Sequence, residues 1–292
     1  MTLRQLECFL AVAGEGSFTR AAERIGIAQP SLSQQIRALE AELGGTLLER
    51  LPRGAALTPA GRALLPEARS AVEAAERAGR GARTALGLES GEIEIATVWS
   101  IAVGILPTAL RLWNARHPDV MVRLHEHNNR RNLEESVRRG NGDIAVGPRP
   151  ADWIGPLEPL GYEQFVVVLA QNDTLARRGA IRLEELAERR WVLFETDFGL
   201  NEIVMGACAR AGFEPRAAVR TAQSEAAVRL AAAGLGPALV PDNILAPGFE
   251  GAILRVDPPV RRELVAYART QWTQAAANLV ELIRSTAILS PA

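Results

Sequence analysis

The stretch "GSFTRAAERIGIAQPSLSQQIRALE", residues 16–40, decides the fold of the N-terminal part of this chain. Ser17 is placed to cap one helix, Gly26 ends it, and Pro30 suits the first turn of the next helix. The apolar residues of that next helix recur at steps of four, three and four: Leu32, Ile36, Leu39 and Leu43. The stretch therefore predicts a helix, a short turn and a second helix with one buried side.

The opposite side of the second helix is polar. Ser33 and Arg37 lie four residues apart and share a face, with Gln29 at the helix start and Gln34 beside them. A solvated surface helix would show the same pattern. Gln and Arg side chains, however, match the hydrogen-bonding edges of adenine and guanine, and the major groove admits a helix of this diameter. We therefore interpret this polar row as a face that reads DNA.

Composition limits the classes of protein to be considered. The 292 residues are 48% hydrophobic and 23% charged, as in a globular protein of more than one domain. No apolar run is long enough to cross a membrane, and the start "MTLRQLECFL" lacks a signal-peptide pattern, so we expect a cytoplasmic protein. The net charge of -1 means that any electrostatic case for nucleic acid must be local.

A hairpin and a long helix follow the polar row. Two short apolar runs surround Pro52, Arg53 and Gly54, and the pair Thr58-Pro59 then opens a helix to about Leu86. The apolar stripe of this helix consists of Leu64, Leu65, Ala68, Ala71, Val72, Ala75, Ala78 and Ala82. Little else in the sequence would bury that stripe, so we expect a partner helix to cover it.

The remainder of the chain alternates between strand and helix patterns. Strands are predicted at 92–98, 120–127, 142–147, 162–170, 190–194, 217–222, 236–241 and 263–269. Helices are predicted over 100–116, 130–139, 199–211 and 224–233, and from about 273. Such alternation favours a mainly parallel α/β domain, here in two rounds.

Several motifs occur in the order and spacing of one known family. "GSFTRAAE", "AQPSLSQQI", "LE.ELG..L.ER" and "LTPAG" resemble the winged helix-turn-helix of LysR-type transcriptional regulators, and the resemblance extends over essentially the whole chain. It implies a winged helix-turn-helix (1–58), a dimerising linker helix (59–88) and a two-lobed effector domain similar to periplasmic binding proteins (89–292). Lobe I would span about 91–160 and 266–292, and lobe II about 161–265. This chain has Gln34 where many members have Arg, and Ala28 where a Ser or Thr cap is common.

The resemblance also implies partners and DNA-contacting residues. The partners are double-stranded DNA, a small-molecule effector, RNA polymerase and further copies of the chain in a homodimer or homotetramer, with no membrane. Arg53 would contact phosphate or the minor groove from the tip of the wing. The residues expected to contact DNA are Gln29, Pro30, Ser31, Ser33, Gln34, Arg37 and Arg53.

The effector is expected where strands end and helices begin, because helix N-termini present free N–H groups there. Ser100 is the leading ligand donor and is placed to cap its own helix, while Trp99 either shrinks the pocket or stacks on a flat effector. The candidate effector-binding residues are Trp99, Ser100, Ile101, Asn128, Asn129, Gly147, Arg149, Phe198, Gly199 and Asn201. Their chemistry favours an anionic, carboxylate-bearing metabolite.

Other functions find less support in the sequence. His125 and His127 share a strand face but lack a nearby third ligand, so no metal site is expected, and the absence of hydrolase, zincin and dinucleotide motifs predicts neither catalysis nor a cofactor. Cys8 and Cys208 are interpreted as buried thiols. A cytoplasmic small-molecule-binding protein without a gene-regulatory role would explain only the second half of the chain. A ligand-responsive regulator explains both halves.

Overall fold

The computed structural model describes residues 1–51, 54–85, 91–246, 248–287 and 289. The chain divides into two compact units, Met1–Glu89 and Ser90–Ala292. Within the described residues, no helix combines the length and apolarity that a membrane crossing requires. Each unit has its own hydrophobic core and is described by itself.

The first unit is a winged helix-turn-helix. Its elements are α1 (Leu3–Glu15), α2 (Phe18–Arg24), α3 (Gln29–Leu43), β1 (Leu48–Leu51), β2 (Gly54–Leu57) and α4 (Pro59–Ala85). Ser17 caps α2 as predicted, its side chain accepting the N–H of Arg20, and Gly16 ends α1 in the left-handed conformation at φ 59°. The N-cap residue of α3 is Ala28, which provides no side-chain cap, also as expected.

The buried side of α3 agrees with the apolar spacing at three positions and departs from the prediction at two. Leu32, Ile36 and Leu39 are buried. Leu43 is 47% exposed, because it is the last residue of the helix and the chain turns away at Gly44. Ser33 is only 5% exposed, so the prediction that it belongs to the outer polar row is wrong. It lies three residues before Ile36, on the margin of the buried side, where a small side chain fits.

Helix α4 is covered within its own unit more fully than the sequence indicated. Ala68 is buried in the core formed by α1, α2 and α3, and Leu64, Leu65 and Val72 pack against that core. The expectation that Ala68 needs a partner chain to cover it is therefore wrong, whereas Leu64, Leu65 and Val72 are only partly buried and their contact with a partner stays a prediction. Ala71 and Ala78, on the same helix, are exposed.

The second unit contains two lobes with separate cores. In the first lobe the strands are β3 (Glu92–Val98), β4 (Met121–His127) and β5 (Ile144–Pro148), and the helices are α5 (Trp99–Gly104), α6 (Leu106–Arg116), α7 (Arg130–Arg138) and α10 (Gln274–Thr286). The central strand β3 runs parallel to β4 and β5. The helix predicted over 100–116 is broken at Ile105, because Pro107 lacks an N–H and its ring would clash with the preceding turn.

The second lobe surrounds a larger core. Its strands are β7 (Ala180–Ile181), β8 (Arg190–Phe194), β9 (Arg216–Thr221), β10 (Ala238–Pro241) and β11 (Ala252–Val256), and its helices are α8 (Gly199–Arg210) and α9 (Ser224–Ala232). Strands β8 and β9 pair in parallel, apart from the main sheet. The sequence reading missed β7 and β11, which are short and bounded by turns.

Two long strands pass from one lobe to the other. They are β6 (Leu157–Leu169) and β12 (Arg261–Tyr267), and they pair antiparallel. The register shifts between Leu264 and Val265, whose partners are Gly161 and Pro159, so that Leu160 is left out of the pairing as in a β-bulge. The chain returns to the first lobe between Val260, in the second core, and Leu264, in the first, slightly ahead of the predicted residue 266.

We predict that Ala68→Asp lowers the free energy of unfolding of the first unit by about 3 kcal/mol or more, because it places a carboxylate in a dry core. Ala63→Asp, five residues earlier on α4, should change that stability by less than about 0.5 kcal/mol because its side chain is exposed. Urea unfolding of both variants followed by circular dichroism checks this. Equal losses in the two variants would contradict the packing of α4.

Candidate functional site

The outer face of α3 presents most of the residues expected to contact DNA. Pro30, Ser31, Gln34 and Arg37 are exposed and Gln29 is half-buried. All of them lie on one continuous helix with its N-terminal end accessible. Arg53, assigned to the wing tip, lies outside the described residues.

Ser33 links two of these side chains instead of facing outward. Its hydroxyl accepts a hydrogen bond from Nε2 of Gln29 at 3.0 Å, and its main-chain carbonyl accepts one from Nε of Arg37 at 3.2 Å. The side chains of Gln29 and Arg37 are thereby held along the helix. Ser33 thus orients Gln29 and Arg37 from the margin of the core.

A carboxylate that the sequence reading overlooked ties α3 to the hairpin. Oε1 of Glu40 accepts the main-chain N–H groups of Leu47 at 2.8 Å and Leu48 at 3.2 Å. Leu47 precedes β1 and Leu48 begins it, so these hydrogen bonds hold the hairpin at a defined place beside α3. The contact spans seven or eight residues of sequence and leaves no periodic signal.

A cavity of about 360 Å³ lies between the two lobes of the second unit. It is bordered by the ends of β3, β4 and β5 and by the starts of α5, α7 and α8, as open α/β sheets place ligands. The predicted residues that line it are Trp99, Ser100, Asn128, Asn129, Arg149, Phe198 and Gly199.

Three of the predicted effector residues do not line the cavity. Ile101 is fully buried in the core of the first lobe, because it follows Ser100 around α5 towards the sheet. Gly147 serves packing: a Cβ there would lie 2.5 Å from Cδ2 of Leu133. Asn201 is 9% exposed and turns inward, two residues after Gly199 on α8. These assignments are therefore corrected.

Ser100 lines the cavity but does not cap its helix, contrary to the prediction. It is the second residue of α5, the N-cap position is Val98, and no side chain caps that end. The hydroxyl of Ser100 instead accepts a hydrogen bond from Nη2 of Arg262 at 3.1 Å. Among the described residues it has no acceptor for its own hydrogen, so that hydrogen is available to a ligand.

The rim of the cavity joins the lobes directly. Nδ2 of Asn128 donates to Oδ2 of Asp197 at 3.0 Å, and Nδ2 of Asn129 donates to the Asp197 carbonyl at 2.9 Å. In return, the N–H of Gly199 donates to the Asn128 carbonyl at 2.8 Å. A Cβ at position 199 would lie 3.1 Å from Cα of Asn129, so a side chain there would push Asn129 away by a few tenths of an ångström.

An apolar wall completes the cavity. Trp99, from the first lobe, packs against Phe198, from the second, with ring centroids 5.5 Å apart and planes tilted by 37°. Phe198 in turn packs against Phe194 at 5.2 Å. The aromatic pair supplies the apolar contacts that small-molecule sites use around a few polar groups.

Positive charge dominates the lining. It includes five arginines, Arg130, Arg149, Arg210, Arg261 and Arg262, against two glutamates, Glu202 and Glu263. Arg149 pairs with Glu263 at 2.9 Å, and Arg130 with Glu134 outside the cavity at 3.1 Å. Within the described residues, Arg210 and Arg261 have no ion-pair partner. Arg210 and Arg261 are exposed to solvent, and their unpaired positive charge favours an anion at the cavity.

The histidines and cysteines considered in the sequence analysis do not line the cavity. Nε2 of His125 is 3.4 Å from Oε2 of Glu94. The pKa of His127 is lowered by burial and, to a smaller extent, by the neighbouring His125. No group of three or more His, Cys, Asp or Glu side chains in the described residues is arranged to hold a metal ion. Cys8 and Cys208 are free and buried, and burial raises the pKa of Cys208 to about 12.

The sequence reading missed most of the lining contributed by β12 and α8. Arg261, Arg262 and Glu263 come from the strand that returns between the lobes, and Arg210 from the end of α8. The run "VRRELVAY" (260–267) could have indicated these residues, since charged residues at the start of a buried strand are unusual and often have a specific role.

Comparison with family models covers both units. Residues 3–62 match the model described as bacterial regulatory helix-turn-helix protein, lysR family. Residues 86–287 match the model described as LysR substrate binding domain. Together these matches span nearly the whole chain.

Individual relatives agree with these models. The HTH-type transcriptional regulator AlsR of Bacillus subtilis is 32% identical over 259 residues, 83% of this chain and 81% of that protein. A probable hydrogen peroxide-inducible genes activator of Streptomyces viridosporus is 33% identical over 242 residues, 82% of this chain and 77% of that protein. The crystal structure of full-length CbnR complexed with its target DNA has a TM-score of 0.76 at 27% identity, covering 98% of this chain and 100% of that one.

Proposed function

The chain belongs to the LysR family of bacterial transcriptional regulators, and on that premise we propose that it reads promoter DNA with α3 and alters transcription when a small anionic metabolite occupies the cavity between its lobes. The observation that carries this proposal is the cavity itself. Its lining combines an excess of arginines with a Ser100 hydroxyl that is free to donate. A carboxylate-bearing metabolite is the effector class that suits this chemistry best.

The DNA half of the proposal rests on the exposed face of α3. Gln34 and Arg37 are exposed, Gln29 is held near them through Ser33, and side chains of these types recognise base edges in the major groove. CbnR, to which this chain is similar over nearly its whole length, was crystallised on its target DNA. Arg53 is proposed to contribute phosphate or minor-groove contacts, which supply affinity more than sequence preference.

Assembly is proposed to use the exposed part of α4. Ala71 and Ala78 are exposed, spaced seven residues apart on one face, and small enough for two helices to approach closely. A homodimer, or a homotetramer built from two dimers, would bind paired half-sites about one helical turn or a multiple of it apart. The regulator would act in the cytoplasm, beside RNA polymerase.

Two other functions are less well supported. A small-molecule-binding protein without a regulatory role leaves the helix-turn-helix unit, with its exposed polar face, unexplained. An enzyme needs reacting groups arranged around the cavity, whereas the polar lining consists mainly of arginines and asparagines, the Ser100 hydroxyl is bonded to Arg262, and Glu263 is paired with Arg149. We infer a binding role for the cavity and no catalysis.

Peroxide sensing, suggested by one relative, does not suit this chain. Redox-sensing cysteines are accessible and have a lowered pKa, because the thiolate is the reactive form. Cys208 is fully buried in the second lobe, and burial raises its pKa to about 12. The thiol is therefore protonated at neutral pH.

We predict that Arg37→Ala weakens binding to the best DNA site by about 1–3 kcal/mol and relaxes preference at one base position, since the side chain faces a base edge. The best site is first obtained by selection from random duplexes, and binding is then measured on that site and on a scrambled one. Arg4→Ala, on α1 and paired with Glu7, is the matched control and should leave both affinities unchanged. An unchanged ratio of the two affinities in Arg37→Ala would show that α3 is not the reading helix.

We predict that hydrogen peroxide leaves operator affinity unchanged and that native protein reacts with a thiol reagent only as fast as it unfolds, because both cysteines are buried. Thiol titration with and without urea, together with gel shifts before and after peroxide, checks this. Loss of operator binding on oxidation that is abolished in Cys208→Ser would contradict the assignment.

A thermal screen of carboxylates first identifies the one that most stabilises the wild-type protein. We predict that Ser100→Ala lowers the affinity for this carboxylate by about tenfold or more, as expected for losing a hydrogen bond to a charged group. Ser224→Ala is the matched control, since Ser224 is also buried but does not line the cavity. The measurement is calorimetric titration of both variants. Wild-type affinity in Ser100→Ala would place the effector elsewhere.

A further inference from the structure

Glu163 lies on β6 directly opposite Arg262 on β12, where the two strands cross between the lobes. Its side chain is fully buried and that of Arg262 is 11% exposed. One carboxylate oxygen accepts from Nε of Arg262, and the other accepts from Nδ2 of Asn243 at 3.0 Å. Both oxygens of Glu163 are thus held from inside the protein, and Glu163 does not line the cavity.

Arg262 divides its donors between this buried carboxylate and the cavity. Its Nε edge faces Glu163, while Nη2 donates to the hydroxyl of Ser100 at 3.1 Å and the residue lines the cavity. The guanidinium carbon is 5.8 Å from the ring centroid of Phe165, which confines the side chain. Within the described residues, the remaining N–H groups at the Nη end have no acceptor, so a ligand carboxylate can use them without displacing Glu163.

We propose that Glu163 is a specificity-determining residue of the effector cavity, a built-in counter-anion that neutralises Arg262 from behind and so restricts binding to ligands with a well-placed carboxylate. The inference rests on the proposed function, because it assumes that the cavity holds an anion. With Glu163 in place, Arg262 offers directional donors but little net attraction. A simple anion such as chloride then binds with little favourable free energy, whereas a carboxylate accepts hydrogen bonds from both Arg262 and Ser100.

Removing the charge of Glu163 should therefore strengthen anion binding. Glu163→Gln keeps the shape and an oxygen acceptor but leaves a guanidinium that is nearly out of water without its counter-charge. Such a charge is costly unless it is paired, and an anion from solution can pair with it. Glu163→Gln should therefore raise the affinity for anions, whereas Arg262→Gln should lower it.

The test uses the full chain, with acetate as the smallest carboxylate and acetamide as its neutral counterpart, in a chloride-free buffer. Tryptophan fluorescence reports binding through Trp99, and Trp99→Phe shows which part of the signal comes from the cavity. We expect Glu163→Gln to bind acetate about tenfold more tightly than wild type, Arg262→Gln to lose acetate binding, and acetamide to bind all three alike. Chloride should compete with acetate in Glu163→Gln and not in wild type.

Glu158→Gln is the matched control: it removes a carboxylate from the same strand, but Glu158 pairs with Arg284 away from the cavity, so this variant should bind acetate as wild type does. If Glu163→Gln binds acetate no more tightly than wild type while Arg262→Gln loses it, the role of Glu163 is overturned and the proposed anion site stands. If Arg262→Gln and Ser100→Ala bind acetate as wild type does, or if acetate binds no variant, the proposed function of the cavity fails as well.

The destabilised variant remains informative. An unpaired Arg262 lowers the melting temperature of Glu163→Gln, and acetate should restore it by more than it raises that of wild type. Should Glu163→Gln not fold in acetate-free buffer, it is refolded with acetate or with acetamide, and acetate alone should restore folding because it binds the native state. Equal recovery with acetate and acetamide would overturn the inference.

Discussion

The antiparallel pairing of β6 with β12 is the constraint on which the ligand-binding unit depends. These strands join the two lobes, and their register sets Glu163 opposite Arg262. A buried carboxylate and a guanidinium in that position must face each other, since either one alone would be a costly unpaired charge. The same register carries the far end of Arg262 to Ser100, so the geometry of the cavity follows from how two strands pair.

In the first unit, local sequence patterns predicted the helix ends and most of the buried side of α3. The cap at Ser17, the first-turn proline at Pro30 and the apolar spacing of Leu32 and Ile36 act within a few residues, and the structure agrees with each. The burial of Ser33 was not predicted, because periodicity places a residue on a helix to within one side-chain width and Ser33 lies at the margin. The covering of Ala68 was missed for a different reason: it depends on how α4 packs against the other helices.

The cavity was predictable only in part, and the reason is the distance along the chain between its contributing residues. Strand ends followed by helices pointed to Trp99, Ser100 and Phe198, which do line it. Arg262 was missed because its partners Glu163 and Ser100 are 99 and 162 residues away, and no short motif encodes such pairing. Ser100 was placed correctly but given the wrong bonding, since a helix-start serine predicts a cap while a buried arginine competes for the same hydroxyl.

A crystal structure of the full chain grown with acetate would test the account most directly, because the central claim concerns where a carboxylate sits. We expect its oxygens within hydrogen-bonding distance of Oγ of Ser100 and the Nη atoms of Arg262, with Glu163 still paired behind. Acetate found only at other sites, with water alone beside Ser100 and Arg262, would contradict the account.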